Sequence, residues 1–425
     1  MIKRILILLT LIFIMLSLAG CWGTTEIDEA AYPIVLGIDA GPGRNLILSM
    51  AIANVTASNS GTEEKLLTGV RTRVFSTTAP GLFAGLNIIN SILERQINAS
   101  HLKMIVFSEA FARRDIEDIC DGLTRWPQFR RTIYIAVAQG DAKRVIDAIM
   151  TPNEDNPAKF LELMMLTQGY IGYTPRGQFL KFYNALKTKG EEPIAILIAP
   201  RINRFQVNPN QIPELPSGAP SNANIKDPGN FTAGNPPLTG DGPIQLMGTA
   251  VFHRGQMVDK LTGNETIAMS ILRGEFNRTF VTAPDPKVPE QIIQVNLKQS
   301  KKPKITIEHH GGNYIAKVQV NLNADIAEIS ADKSYELPKY LPLLEQVVQR
   351  WVRHQCLLVF NKAQKDGSDI FGFGKHARWL VADWPAWQKL DWNSAFQKMD
   401  LRLKVNVHVN QTGLIYNKTV VKEGK

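Results

Sequence analysis

The sequence predicts a chain of mixed α/β and α+β type, about three domains in which mixed sheets are packed by helices. Three observations predict it. Strand-like and helix-like segments alternate through the N-terminal half. In the C-terminal half, strictly alternating strands flank one long helical stripe. Between them, residues 201–242 hold seven prolines among Asn, Gly and Ser, with few large apolar side chains.

Taken in order, 34–39 and 46–53 are apolar runs parted by Ala40-Gly41-Pro42-Gly43-Arg44, a strand, a loop and a strand. No Lys-Ser/Thr pair or helical pattern follows this glycine-rich loop, so it is not a phosphate cradle. Residues 71–77 read as a strand. Leu82, Leu86, Ile89 and Leu93 then share one helical face, with Pro80 at its start. A strand over 103–107 follows. Ile116, Ile119, Cys120 and Leu123 mark a second helix, 132–138 a further strand and 141–150 a third helix. Three such alternations require crossover connections. Cys120 lies on the apolar stripe and reads as a buried thiol.

The 201–242 segment lacks the apolar surface to offset its ordering entropy and reads as a mobile linker or surface excursion. Beyond it, Tyr314, Ala316, Val318, Val320 and Leu322 alternate with polar residues, as do Leu401, Leu403, Val405, Val407 and Val409. Between these strands a helix runs through Leu341, Leu344, Val348, Val352, Cys356 and Val359. The expected division is thus 1–20, 21–200 (α/β), 201–242 and 243–425 (α+β, with room for two subdomains).

Composition narrows the function. A 44% hydrophobic, 20% charged chain with 31 Gly and 24 Pro is neither fibrous nor of low complexity, and 3 Cys make no disulfide framework. At the N-terminus, Lys3 and Arg4 precede an apolar run over 5–16 and then Leu18-Ala19-Gly20-Cys21, the pattern of a bacterial lipoprotein signal. Cleavage before Cys21 would leave its thiol to carry diacylglycerol, and two or three acyl chains anchor stably where one does not. Loss of Lys3 and Arg4 lowers the formal net charge from +9 to +7. Lysines and arginines are scattered, and no aromatic residues interleave with clusters such as Lys301-Lys302-Pro303-Lys304, so nucleic acid is not the partner. The basic balance is either a solvated surface or a mild attraction to anionic headgroups.

Catalytic signatures are missing. There is no Gly-x-Ser-x-Gly elbow, His-Glu-x-x-His, Walker loop or Cys-x-x-Cys pair. His309 and His310, adjacent on a strand, point to opposite faces. Glu63-Glu64 and Glu191-Glu192 read as ordinary solvated acids. Most unusual is the aromatic run from Asp369-Ile370-Phe371-Gly372-Phe373-Gly374 through Trp379, Trp384, Trp387, Trp392 and Phe396. It either closes a core, the simpler account, or presents anchors, for which Trp384 and Trp387 are the candidates.

These residues carry a resemblance over nearly the whole chain. Cys21-Trp22 with Glu26-Ile27-Asp28, Val35-Leu36-Gly37-Ile38-Asp39, Asn98-Ala99-Ser100-His101-Leu102-Lys103, residues 125–132, Gly248-Thr249-Ala250-Val251-Phe252, the Asp369–Gly374 run with Trp387, Trp392 and Phe396, and Gly413 occur in one order. In that order the chain resembles the C subunits of spore germinant receptors, the Ger(x)C lipoproteins of endospore-forming Firmicutes. The resemblance implies a non-enzymatic, three-domain lipoprotein on the outer face of the inner spore membrane. It implies diacylglycerol on Cys21, no other cofactor and no catalytic residue. It further implies integral-membrane A and B subunits as partners in a receptor that senses nutrients and triggers release of ions and dipicolinate. The 201–242 segment departs from it in being longer than usual. An extracytoplasmic solute-binding lipoprotein is the alternative and needs a hinged cleft between two lobes. An envelope hydrolase lacks a nucleophile or metal motif.

Overall fold

Apolar, β-branched runs build the first of two main sheets in the computed structural model, which describes residues 2–7, 10, 29–53, 72–150, 156–201, 227–236, 238, 242–288, 291–329 and 340–411. Cys21, Glu63 and Glu64 lie outside the described residues. β1 (Ala30–Ala31) pairs in parallel with β5 (Gln96–Ile97) as a small separate ladder. The eight-stranded sheet then contains β2 (Pro33–Ala40), β3 (Leu46–Ala53), β4 (Thr72–Ala79), β6 (Met104–Ser108), β7 (Tyr134–Ala138), β8 (Ile194–Pro200), β9 (Ile244–His253) and β10 (Gln256–Leu261). Its order is β10-β9-β8-β7-β6-β2-β3-β4. β2, β6, β7 and β8 run parallel, and the antiparallel strands flank them.

Helices cover both faces, as a parallel centre demands. α1 (Leu82–Asn90), α2 (Glu109–Ala112), α3 (Glu117–Arg125) and α6 (Phe179–Lys187) contribute to the core that holds Leu36, Ile38, Ile105, Phe107, Ile135 and Val137. α4 (Ala142–Ile149) and α5 (Pro157–Ile171) cover the opposite side chains, Val35, Met104, Val106, Ala136 and Ala138. The alternation along each strand is the period-2 pleat made visible. Asp39, at the end of β2, accepts from the N–H of Ala142 (2.7 Å) and Lys143 (3.1 Å), so a strand carboxylate caps α4. Burial pushes its pKa up, against the two backbone donors that favour the charged form.

The second sheet has the order β11-β12-β13-β14, made of β11 (Arg278–Pro284), β12 (Ile292–His310), β13 (Asn313–Ile329) and β14 (Asp400–Gln411). β12 and β13 form a long hairpin whose turn, Gly311-Gly312, has positive φ at both residues (58° and 86°). β14 runs parallel to β13, so the chain crosses over through the helix α8 (Leu341–Lys365). The α8 stripe Leu344, Val348, Val352, Cys356 and Val359 is buried against this sheet. α7 (Gly263–Arg273) joins the two sheets. Its N-terminus carries a full capping box between Thr262 and Glu265, and every residue from Gly263 to Leu272 except Glu265 is buried.

The first sheet draws β8 and β9 from either side of residues 201–243. Part of the segment expected as a linker is packed, because Asn264 Nδ2 donates to Asp227 Oδ2 (2.8 Å) and Asn230 Oδ1 (3.0 Å) and Ala233 is buried. Side chain–side chain bonds of this kind order a segment that hydrophobicity alone does not. Among the described residues no helix is long and apolar enough to cross a membrane.

Candidate functional site

The aromatic run falls at the joint between the two sheets, and its chemistry starts with one buried acid. After α8 the chain turns through Gly367 (φ 63°), and Ser368 Oγ donates to the carbonyl of Phe252 in β9 (2.6 Å). Asp369 is fully buried. Its Oδ1 accepts from the N–H of Phe371, Gly372 and Phe373 at 3.2, 3.0 and 3.1 Å. Its Oδ2 accepts from Gly374 N–H (2.8 Å) and the Trp392 indole N–H (2.9 Å). Burial pushes this carboxyl up to about 6, while the donors pull the other way.

The loop so formed leads into α9 (Phe373–Ala377), followed by α10 (Trp384–Lys389) and α11 (Trp392–Gln397). Phe371 and Phe373 stack at 5.2 Å between Phe360 of α8 and Phe396 of α11. Against this wall comes the turn before β8. A Cβ on Gly190 (φ 99°) would sit 2.7 Å from the Gly374 carbonyl carbon, and one on Gly374 would sit 2.3 Å from Gly190 Cα. Two backbones therefore touch where only glycines fit.

Charges flank the crossing. Arg273 of α7 donates to Glu191 (2.7 Å), Lys375 pairs with the same carboxylate, and the Arg273 guanidinium also donates to the Ile370 carbonyl. Glu192 accepts from Arg254 N–H and Asn393 Nδ2, both at 2.9 Å, and lies 3.5 Å from His253 Nδ1. Burial raises the Glu192 pKa against the Arg254 backbone bond and the Asn393 amide bond. Arg254 holds a left-handed backbone (φ 47°), a conformation rare outside glycine, in the β9–β10 turn that delivers its N–H. The sequence reading of Glu191-Glu192 as solvated acids is thus corrected, since both are buried and paired across the joint. The only hint in the sequence is their position between Gly190 and an apolar strand.

Beside the joint lies a cleft of about 520 Å³ whose walls include Lys187, Lys189, Arg254, Lys389, Asp391 and Asn393. The lining is polar, unlike the apolar pockets that bury small ligands. Among the described residues no three His, Cys, Asp or Glu gather as metal ligands. Burial holds the Cys120 and Cys356 thiols up at about 12, well above the range of reactive cysteines. His310 leans on Glu308 while His309 packs on the Tyr314 ring.

The two candidate anchors separate. Trp387 is 1% exposed and packs on Trp392 (5.7 Å), whereas Trp384 is 54% exposed. The Arg378 guanidinium sits 4.6 Å from the Trp384 ring and 5.6 Å from that of Trp379, giving an aromatic and cationic surface above the core. Asp383 caps α10 through Ala386 N–H (2.8 Å), and Trp384 in its first turn is exposed while Trp387 is buried.

Residues 23–200 match the spore germination protein N-terminal domain, and residues 247–413 match the spore germination B3/GerAC-like C-terminal domain. The chain belongs to the GerAC-like spore germination family. Members of this family are non-catalytic receptor components, and this chain is not an enzyme. Its similarity to GerAC-like proteins runs end to end. Spore germination protein KC of Bacillus subtilis (strain 168) is 23% identical over 431 residues, spanning 98% of this chain and 98% of that protein. Spore germination protein GerQC of Bacillus cereus is 19% identical over 410 residues, spanning 95% and 98%. The crystal structure of the GerBC protein superposes with a TM-score of 0.52 at 15% identity, covering 88% of this chain and 96% of that one, so the fold is shared. The joint lies between the two GerAC-like regions: Gly190, Glu191 and Glu192 fall in the first, Arg273, Asp369 and Gly374 in the second.

Proposed function

We propose that the protein is the lipid-anchored C subunit of a nutrient germinant receptor, required for spore germination and assembled with integral-membrane A and B subunits. The observation that carries this reading is the family match along nearly the whole chain, joined to the Leu18-Ala19-Gly20-Cys21 signal at its start. Cys21 would carry diacylglycerol and hold the protein on the outer face of the inner spore membrane. Residues 21–200 and 243–425 would be its two principal parts, with β9 and β10 lent by the second to the sheet of the first. The tightly tied joint argues against the hinge that a solute-binding lipoprotein needs.

Anchoring would confine the protein near its partners and raise their effective concentration. Cys21→Ala is therefore expected to leave the fold intact and to weaken assembly about 100-fold. The check is dipicolinate release from purified spores of a deletion strain restored with either form, across a panel of amino acids and sugars. Normal nutrient responses in the restored Cys21→Ala strain at native expression would sink the anchoring role. Loss of response to a defined nutrient in the deletion strain, with a normal response to a non-nutrient trigger, is expected and would name the stimulus.

Partner contact is proposed at Trp384, whose ring is exposed beside Arg378. Trp384→Ala should keep the melting temperature and lose co-purification with the membrane subunits. Trp387→Ala should instead lose about 3–5 kcal/mol of stability, because it empties a fully packed site. Equal melting temperatures for the two variants would contradict this division of roles.

A further inference from the structure

The described body begins at Glu29, and its first paired residues are Ala30 and Ala31, held by β5. Nine peptide steps separate Ala30 from Cys21, which span at most about 32 Å when fully extended. With an acyl group on Cys21, the face around β1 is thus confined to within roughly 30 Å of lipid. What that face carries decides how the body meets the membrane.

Several contacts gather one patch there. The Asn90 side chain at the end of α1 accepts from Ile97 N–H of β5 (2.8 Å), and Gln128 accepts from Ala99 N–H (3.2 Å). These bonds place the end of α1 and the 126–129 turn beside the point where the chain enters the fold. Here Phe83 and Trp126 are exposed with their rings 5.4 Å apart, and Ile92, 68% exposed, follows the end of α1. Arg95 precedes β5 and Arg125 precedes Trp126, with Glu94 next to Arg95 and Asp121 in electrostatic reach of Arg125, and neither arginine makes a salt bridge among the described residues.

Exposed Trp, Phe and Ile flanked by Arg match the chemistry of a bilayer interface: amphipathic rings sit at headgroup depth and guanidinium groups meet lipid phosphates. We propose that the surface formed by α1 and the Trp126 turn rests on anionic lipid headgroups, so that the body lies against the membrane in a fixed orientation. The proposal deepens the lipid-anchor reading and rests on it for proximity. A lipid chain alone leaves the body free to rotate on its tether. The patch supplies the second contact that sets which face points away from the bilayer.

The test uses the full chain, expressed with its own signal and reconstituted into vesicles of phosphatidylethanolamine and phosphatidylglycerol, without any other protein. Cys120 and Cys356 are buried and do not compete for label. Ile92→Cys and, as a control on the second part of the protein, Trp379→Cys are each labelled with an environment-sensitive fluorophore. Lipids bearing a headgroup-depth quencher are expected to dim the label at 92 several-fold more than the label at 379. Exchanging phosphatidylglycerol for phosphatidylcholine, or adding Arg95→Glu with Arg125→Glu, should reduce that difference. Equal quenching at 92 and 379 overturns the proposal and leaves the patch as a protein-binding face. The mass of the N-terminal peptide reports acylation of Cys21 separately. If no acyl mass is found, the same label in a Cys21→Ser background decides the surface alone: preferential quenching at 92 sustains it, and its absence overturns it.

Discussion

Asp369→Asn is expected to destabilise the protein by about 2–4 kcal/mol, read as a lower midpoint in chemical denaturation. Asp369 answers five donors with two oxygens and is fully buried. The amide keeps one oxygen for the N–H groups of Phe371, Gly372 and Phe373. Its NH2 then faces the Gly374 and Trp392 N–H groups, leaving donors against donors without water. The pH dependence distinguishes this from simple loosening. Because burial raises the carboxyl to about 6, the folded state holds a proton that the unfolded state has already released between about pH 4 and 6. Stability from this group is therefore greatest below about pH 4 and is lost as pH rises through 6, by up to about 3 kcal/mol. The wild type should lose stability mainly between about pH 4 and 6, and Asp369→Asn should flatten that slope. An unchanged slope in the variant would assign the dependence to Glu192, whose carboxyl is also raised.

Gly374→Ala should cost about 2–4 kcal/mol and act on the coupling of the two parts. The new methyl would lie 2.3 Å from Gly190 Cα and 2.6 Å from the Trp392 indole nitrogen, which itself holds Asp369. Neither neighbour is the loose end of a flexible side chain, so the backbones must part. Gly190→Ala should cost at least as much, since it adds a left-handed φ to the same collision. Separation should appear as two denaturation transitions where the wild type gives one, and as new protease cleavage near 188–193. Gly169→Ala in α5 is the matched control. Nothing lies within 4 Å of its added Cβ, so it should be neutral or slightly stabilising. A Gly374→Ala protein with wild-type stability would show that the close crossing is not needed.

Legibility in the sequence followed the difference between wet and dry faces. β13 and β14 were readable because Tyr314, Ala316 and Val318 face the core while Lys317 and Gln319 do not. α8 showed its stripe for the same reason. β8 and α7 gave no such signal, since Ile194–Ala199 and all of Gly263–Leu272 but Glu265 are buried and carry no periodic contrast. Of the long β12 only the end at His309 and His310 was read as strand, because polar residues such as Lys298, Gln299 and Ser300 interrupt the pattern before it. At the joint, the Asp369–Gly374 run stood out by composition, but its partners did not. Gly190, Glu191 and Arg273 meet it only through tertiary contact, and local sequence cannot tell a paired acid from a solvated one. Nor does spacing separate Trp384 from Trp387, three residues apart on one short helix and told apart only by what packs on Trp387.

The strand order of the first sheet bears on how the chain is made. β8, Ile-Ala-Ile-Leu-Ile-Ala-Pro, is covered along one side by β9, which arrives only with residues 244–253. Until then, β8 is a dry, uncharged edge with its ladder groups unpaired, the kind of template on which strands from other chains aggregate. A fragment ending at 200 should therefore precipitate or pair with copies of itself even though it holds a matched domain. Nascent protein faces the same hazard until the later strands emerge, so protection by a holding chaperone during that interval would govern yield.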